Sequence, residues 1–262
     1  RMDLDQVMRV ATSAAYRGAE ALRTRMGNLS CVDPKGPNDL VTDADIASEN
    51  EIIATIRASF PDHAIIAEES GRREGSSGYR WLVDPLDGTV NFVHQLPFVA
   101  VSIAFARQDE LLAGLVLNPF SGELFSAQAG RGARLNGKPI GVCPAARVCD
   151  SLLATGFPYD RTRNFDALAQ RFLRCLKTAR GIRRFGSAAL DLCFVACGRF
   201  AGYWEQDLKP WDMAAGALIV REAGGTVTDF SGRPCGADGS EILATNGRIH
   251  REMLTLIEVG ND

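Results

Sequence analysis

Acidic residues placed at the ends of short apolar runs constrain this chain more than any other feature. Ala64-Ile65-Ile66-Ala67 runs straight into Glu68-Glu69, and Trp81-Leu82-Val83 runs into Asp84, with Asp87 three residues later in D-P-L-D-G-T. Asp212 falls in the first turn of a helix predicted from Pro210 to Ala223, which Pro210 suits as an opening and Gly224-Gly225 as a stop. Helical periodicity flanks these runs. Leu4, Val7, Met8, Ala11, Ala15, Leu22 and Met26 mark an amphipathic opening helix, and Ile46, Ile53, Ile56 and Phe60 mark a second from Asp43 to Ser59. Cys31 to Asn38, with Pro34, Gly36 and Pro37, reads as a loop, and Gly71 to Gly78 as a polar, mobile stretch. Val99–Phe105, Leu111–Leu117, Leu152–Thr155 and Ala201–Trp204 read as strands, Phe165–Leu176 and Ser187–Cys197 as helices, and Asn136-Gly137 as a tight hairpin turn. The pattern is mixed α/β (α+β). It divides into two α/β lobes, residues 1–145 with most of the strand-end acids and residues 146–262 with Asp212.

Composition narrows the function. A net charge of -3 over 262 residues offers no general positive field to nucleic acid or anionic lipid. The longest apolar run, Leu96 to Ala106, is too short for a bilayer and holds Pro97 and Ser102, so no membrane role is expected. Seven cysteines, an odd number without a C-x-x-C pair, suit reduced thiols in a cytoplasm. Arg1 before Met2 reads as a cloning remnant, and no basic-then-apolar signal segment follows it.

Carboxylates on stiff strand ends and helix starts suit magnesium, which takes hard oxygen ligands with water and substrate phosphate completing its shell. Pro85 stiffens the turn between Asp84 and Asp87, and Gly88 and Thr89 offer backbone N–H groups to a phosphate. Singly, each motif has a plainer reading. D-P-L-D-G is a common turn, Glu68-Glu69 a solvated pair, Thr42-x-x-Asp45 a helix cap, and Asp212 a complement to a helix dipole. Haloacid-dehalogenase-type phosphatases need D-x-D-x-T after an apolar strand. Asp84-x-x-Asp87 is one residue too long for that, and Asp43-Ala44-Asp45 opens a helix instead. No Cys-x5-Arg or Ser-His arrangement suggests a covalent route, and the histidines are His63, His94 and His250.

Four segments together resemble the inositol monophosphatase family of lithium-sensitive, magnesium-dependent phosphatases. They are Asp39-Leu-Val-Thr-Asp-Ala-Asp45, Ile66-Ala-Glu-Glu-Ser70, Trp81-Leu-Val-Asp-Pro-Leu-Asp-Gly-Thr-Val-Asn-Phe92 and Trp211-Asp-Met-Ala-Ala-Gly216. The resemblance implies a layered α-β-α-β-α fold, a homodimer, and two to three magnesium ions. Glu68, Asp84 and the Leu86 carbonyl would hold the first ion, Asp84, Asp87 and Asp212 the second, and Glu68 would help with a third. Asp45 and Thr89, with Glu68, would form the catalytic set that orients and deprotonates water. The Gly88 and Thr89 amides would bind phosphate, while Ala188, Glu205 and Asp212 would line the substrate pocket. Lys35 would sit in a mobile loop over the site. Gln95 departs from the glycine of many relatives. The implied substrate is a small phosphorylated polyol, inositol 1-phosphate before histidinol phosphate, fructose 1,6-bisphosphate or 3′-phosphoadenosine 5′-phosphate. A side role is also implied for the basic run Arg171, Arg174, Lys177, Arg180, Arg183 and Arg184, as a dock for RNA or the transcription machinery. Its plainer reading is a solvated helix face, with Arg183 or Arg184 at the dimer interface.

Overall fold

The structure, a computed structural model, describes residues 2–36, 38–160, 162, 164–235 and 239–258. Arg1, Pro37 and positions 259–262, on which parts of the sequence reading fall, lie outside them. In chain order the first elements are α1 (Leu4–Arg23), β1 (Val32–Gly36), β2 (Asp39–Thr42), α2 (Asp43–Ser59), β3 (Ala64–Ala67), β4 (Gly71–Arg73) and β5 (Tyr79–Asp87). There follow α3 (Thr89–Val93), β6 (Ala100–Arg107), β7 (Glu110–Leu117), β8 (Leu124–Gln128), β9 (Ala133–Leu135), β10 (Lys138–Pro139) and β11 (Leu152–Thr155). The rest are α4 (Phe165–Thr178), β12 (Gly181–Arg183), α5 (Ala188–Ala196), β13 (Gly202–Gln206), α6 (Pro210–Glu222), β14 (Thr226–Thr228), β15 (Glu241–Thr245) and α7 (His250–Ile257).

Strand alternation builds the layers. In β6, Val101, Ile103 and Phe105 pack with α1 and α2, while Ala100, Ala104 and Ala106 face the opposite way, towards α5 and α6. The small side chains on that second face let helix backbone come close; a Cβ at Gly114 of β7 would lie 2.9 Å from the Ala215 carbonyl of α6. β6 and β7 belong to an eight-stranded sheet of order β10-β9-β8-β7-β6-β5-β3-β4. A five-stranded sheet, β12-β11-β13-β15-β14, covers the other side of α5 and α6. α4 and α7 close its outer face around Trp204, Leu243 and Met253. The order is therefore α-β-α-β-α. The central core joins Leu82, Val116 and Phe125 to Leu192, Val195 and Ile219, so it draws on both sides of residue 145.

Two segments differ from expectation. Val32–Gly36 pairs antiparallel with Asp39–Thr42 instead of looping, in a two-stranded ribbon apart from the main sheets that tolerates Pro34. Gly71–Arg73 adds an edge strand to β3. The Asn136-Gly137 turn has φ of 49° and 79°, as a tight hairpin between β9 and β10 requires. Gln95 has φ 57°, a left-handed conformation that glycine adopts without strain.

Candidate active site

Parallel pairing of β3 with β5 brings two strand ends side by side, and the Glu68 amide donates to the Val83 carbonyl at 3.1 Å. Asp84 lies within β5 and its Oδ1 accepts from the Leu86 amide at 3.0 Å. The β5–β6 register shifts between Asp84 and Asp87. α2 steadies this corner. Buried Glu49 accepts from the Glu69 and Ser70 amides, both at 2.8 Å, and Ser48 Oγ donates to the Pro85 carbonyl at 2.8 Å. From the other half of the chain, Ser187 Oγ and the Ala189 amide donate to Asp87 Oδ2 at 2.6 and 2.7 Å. Asp87 is thus held by the first turn of α5. Gly88 takes φ 98° to start α3, and a Cβ there would press to 3.2 Å on the Gly186 and Phe98 carbonyls. The first amides of such a helix have no intrahelical acceptor.

Asp45 serves two neighbours at once. Its Oδ2 accepts from the Thr42 amide (2.8 Å) and Thr42 Oγ1 (2.6 Å), completing a capping box for α2. Its Oδ1 accepts from Thr89 Oγ1 at 2.9 Å, and Thr89 Oγ1 also lies 3.2 Å from the Leu86 carbonyl. The cap and the link to Thr89 use different oxygens, so the plain reading of Asp45 and the catalytic one coexist.

One cavity of about 550 Å³ gathers these residues. Its walls include Lys35, Glu68, Asp84, Leu86, Asp87, Gly88, Thr89, Ala188, Glu205 and Asp212, so all but one of the sequence-predicted site residues share one space. Asp45 stands just behind Thr89. Glu205 lies within β13, not beyond its end. It accepts from Tyr203 Oη, and a Cβ on Gly156 would overlap its carboxylate, so glycine leaves the room that the side chain occupies. Asp212 closes the cap of α6 through the Lys209 amide at 2.7 Å. A second cavity of similar volume, between α1 and β8, is lined by Asp5, Arg9, Thr12, Gln128, Arg131 and Arg134 and holds none of the predicted residues.

The electrostatics call for cations. Burial and then the charges of Glu68, Asp87 and Asp212 push Asp84 well above the usual carboxylate range. Burial and Asp87 do the same to Asp212, and burial lifts Asp87 to about 6. Burial likewise lifts Asp45 to about 6, and Glu69 and Glu205 to about 7. Lys35 answers part of this charge, donating to Glu68 Oε1 at 2.9 Å and to Glu69 Oε1. Its own partial burial works the other way, but the two carboxylates hold its ammonium above its ordinary pKa. As the side chains lie, no three acidic, imidazole or thiol groups among the described residues enclose one ion. Glu68 is turned to Lys35, Asp87 to Ser187 and Asp212 to Lys209. The donors nevertheless fit magnesium: several hard carboxylate oxygens and one carbonyl share a cavity that holds more negative charge than Lys35 balances.

A stability prediction follows. The folded chain keeps protons on these acids at pH values where the unfolded chain has lost them. Stability therefore falls as pH rises through the raised values, about 6 to 7 for Asp87 and Glu205. In chelator, the melting temperature should climb as pH is lowered from about 8 to about 5, by roughly 2–4 °C for each kcal/mol relieved. Magnesium should raise it at the upper end and flatten the slope. Calorimetry showing no pH slope in chelator would refute the charge crowding.

Sequence reading missed Glu49, Ser187 and Tyr203 as parts of the site, and it set Arg184 in the basic run and not in this cavity. Ser187 before an apolar helix is recognisable as an N-cap, but nothing local ties it to Asp87, 100 residues earlier. The basic run does not form one face. Arg171 donates to the Ile257 carbonyl at 2.9 Å and to Gln206, and it stacks on Phe230. Arg174 bonds the Glu258 carbonyl, Arg180 pairs with Asp150 at 3.6 Å, and Arg184 lines the cavity.

Comparison with known proteins agrees with this geometry. The profile of the inositol monophosphatase family matches residues 3–259. An inositol-1-monophosphatase of Synechocystis is 45% identical over 96% of this chain and 88% of its own length. A protein of Haemophilus influenzae named Nus factor SuhB is 42% identical over 97% of this chain and 96% of its own. The solved inositol monophosphatase of Anabaena superposes with a TM-score of 0.88 at 40% identity, covering 98% of this chain and 96% of that one.

Proposed function

The chain belongs to the inositol monophosphatase family, a family of phosphoric monoester hydrolases, and we propose on that basis that it converts inositol 1-phosphate to inositol and phosphate with magnesium. The observation that carries this reading is the shared cavity, with Glu68, Asp84, Asp87 and Asp212 together in one space and Glu205 among the other lining residues. Glu68, Asp84, the Leu86 carbonyl, Asp87 and Asp212 would hold the ions, two to three in number. When bound, magnesium supplies Lewis acidity, lowering the pKa of water and neutralising charge on the phosphoryl group and the leaving oxygen. Thr89 takes the proton of the attacking water at Oγ1 and passes its own to Asp45 Oδ1, along the 2.9 Å hydrogen bond between them. Glu68 completes the catalytic set, and the Gly88 and Thr89 amides hold the phosphate. Turnover on inositol 1-phosphate, histidinol phosphate, fructose 1,6-bisphosphate and 3′-phosphoadenosine 5′-phosphate, with magnesium and then with chelator, tests substrate and cofactor together.

Glu205 would set the substrate choice by bonding a ring hydroxyl, with Ala188 beside it. A hydrogen bond to a charged group contributes about 1.5–3 kcal/mol, or roughly 10- to 150-fold. Glu205→Ala should lower kcat/KM for inositol 1-phosphate by about that factor and spare p-nitrophenyl phosphate, whose leaving group makes no such bond. An unchanged ratio of the two would remove Glu205 from substrate selection.

In the cell, the protein would be a cytoplasmic homodimer. No described helix is long and apolar enough to cross a membrane. On α4, Phe165, Leu173 and Leu176 are 64%, 51% and 49% exposed beside the edge strand β12, an apolar face that a second copy would cover. Sedimentation equilibrium would read the mass. Relatives named Nus factor SuhB favour a second role with the transcription machinery. Salt-sensitive RNA retention that is lost when Lys177 and Arg183 are neutralised would support it.

A further inference from the structure

Opposite Asp84, between β5 and β6, lies a buried hydroxyl that the proposed chemistry does not use. Asp84 and Ser102 are direct cross-strand partners in the antiparallel β5–β6 pair. Their neighbours fix which way they point. Trp81 and Val83 of β5 and Val101 and Ile103 of β6 pack towards α1 and α2, whereas Leu82, Ala100 and Ala104 pack towards α5 and α6. Alternation therefore sets the Asp84 and Ser102 side chains on the same face, towards α5 and α6. Residues opposed in this way have Cβ atoms about 4.5–5.5 Å apart, close enough for a hydroxyl to reach a carboxylate. Ser102 is 0% exposed, Asp84 is 2% exposed, and Ser102 Oγ has no hydrogen-bond partner among the described residues. A buried polar group left unpaired destabilises the fold. Alanine, which occupies the same face of β6 at positions 100, 104 and 106, would carry no such cost.

We propose that Ser102 is a positioning residue for Asp84, donating its hydroxyl to the Asp84 carboxylate when that carboxylate is turned to a divalent cation. The inference rests on the reading of Asp84 as a magnesium ligand. Asp84 Oδ1 already accepts from the Leu86 amide, and a second donor from the neighbouring strand would fix the plane of the carboxylate. Neighbours that orient a ligand in this manner typically contribute about 10- to 100-fold in metal affinity. The role needs the hydroxyl and not merely a small side chain.

Magnesium titrated calorimetrically into the purified full-length protein tests this, with Ser102→Ala, Ser102→Cys and Asp84→Asn compared in parallel and the melting temperature of each read in chelator. Ser102→Ala should bind magnesium roughly 10- to 100-fold more weakly. Its metal-free melting temperature should stay level or rise, because an unpaired buried hydroxyl has been removed. Ser102→Cys, similar in size but a weaker donor, should fall between it and the parent. If Ser102→Ala binds as the parent does while Asp84→Asn does not, the hydroxyl is idle and the proposal fails with the metal site intact. A lowered metal-free melting temperature that tracks the affinity loss would make Ser102 a packing residue and also overturn it. Unchanged binding by Asp84→Asn would overturn the reading of the metal site itself.

Discussion

Asp87→Asn and Asp212→Asn are each expected to lower kcat on inositol 1-phosphate by several orders of magnitude while raising the melting temperature of the metal-free protein. The two effects share a cause. Burial first, and neighbouring carboxylates after it, push the pKa of each aspartate up, so the neutral amide removes a desolvated charge and its repulsion from the folded state. The anchoring bonds survive in kind. An amide oxygen still accepts from Ser187 Oγ and the Ala189 amide at position 87, and from the Lys209 amide at position 212. What is lost is the anionic ligand. Charge stabilisation by a metal accounts for several kcal/mol of barrier, and every 1.36 kcal/mol is tenfold in rate. Activity and thermal stability should thus move in opposite directions, a combination that misfolding cannot produce. Near-normal turnover in either variant would show that the magnesium site has been misplaced.

The parts of the site that the sequence shows are those whose geometry is local. Asp45 three residues after Thr42, Asp84 and Asp87 around Pro85, and Asp212 in the turn opened by Pro210 are each positioned by their own element. Glu68 and Asp84 become neighbours through one parallel strand pair, which the sequence leaves open because the two apolar runs are joined by a polar stretch and not by a helix. The remainder depends on contacts between distant segments. The bond from Ser187 to Asp87, the room that Gly156 leaves for Glu205, and the grip of Glu49 on the Glu69 and Ser70 amides leave no spacing to read. The Val32–Gly36 ribbon was hidden for a different reason. Proline and glycine normally mark a loop, and only an exposed edge with a single partner accommodates them in a strand. Arginines spaced at three residues suggested one basic face, but Arg171 and Arg174 turn back to the end of α7 and Arg184 into the cavity.

Thr89→Ala is expected to slow turnover by about 10²- to 10⁴-fold, the usual contribution of a positioned proton acceptor. Magnesium affinity should remain nearly that of the parent, since Thr89 would act on the proton and not on the ion. Asp45→Asn should match it. Burial holds the Asp45 carboxyl near 6, close to working pH, where it can take a proton from the Thr89 hydroxyl. An asparagine presents a neutral oxygen that accepts the hydrogen bond but not the proton. Thr42 separates this role from capping. The cap uses Asp45 Oδ2 and the Thr42 hydroxyl, whereas Thr89 meets Oδ1. Thr42→Ala should therefore cost about 1 kcal/mol of stability and far less in rate. The decisive measurement is the double variant Asp45→Asn/Thr89→Ala. Two groups that form one relay are lost together when either is removed, so kcat for the pair should lie close to that of the slower single variant. Multiplied losses, with the Asp45→Asn effect following the fall in melting temperature, would leave Asp45 as no more than the cap of α2.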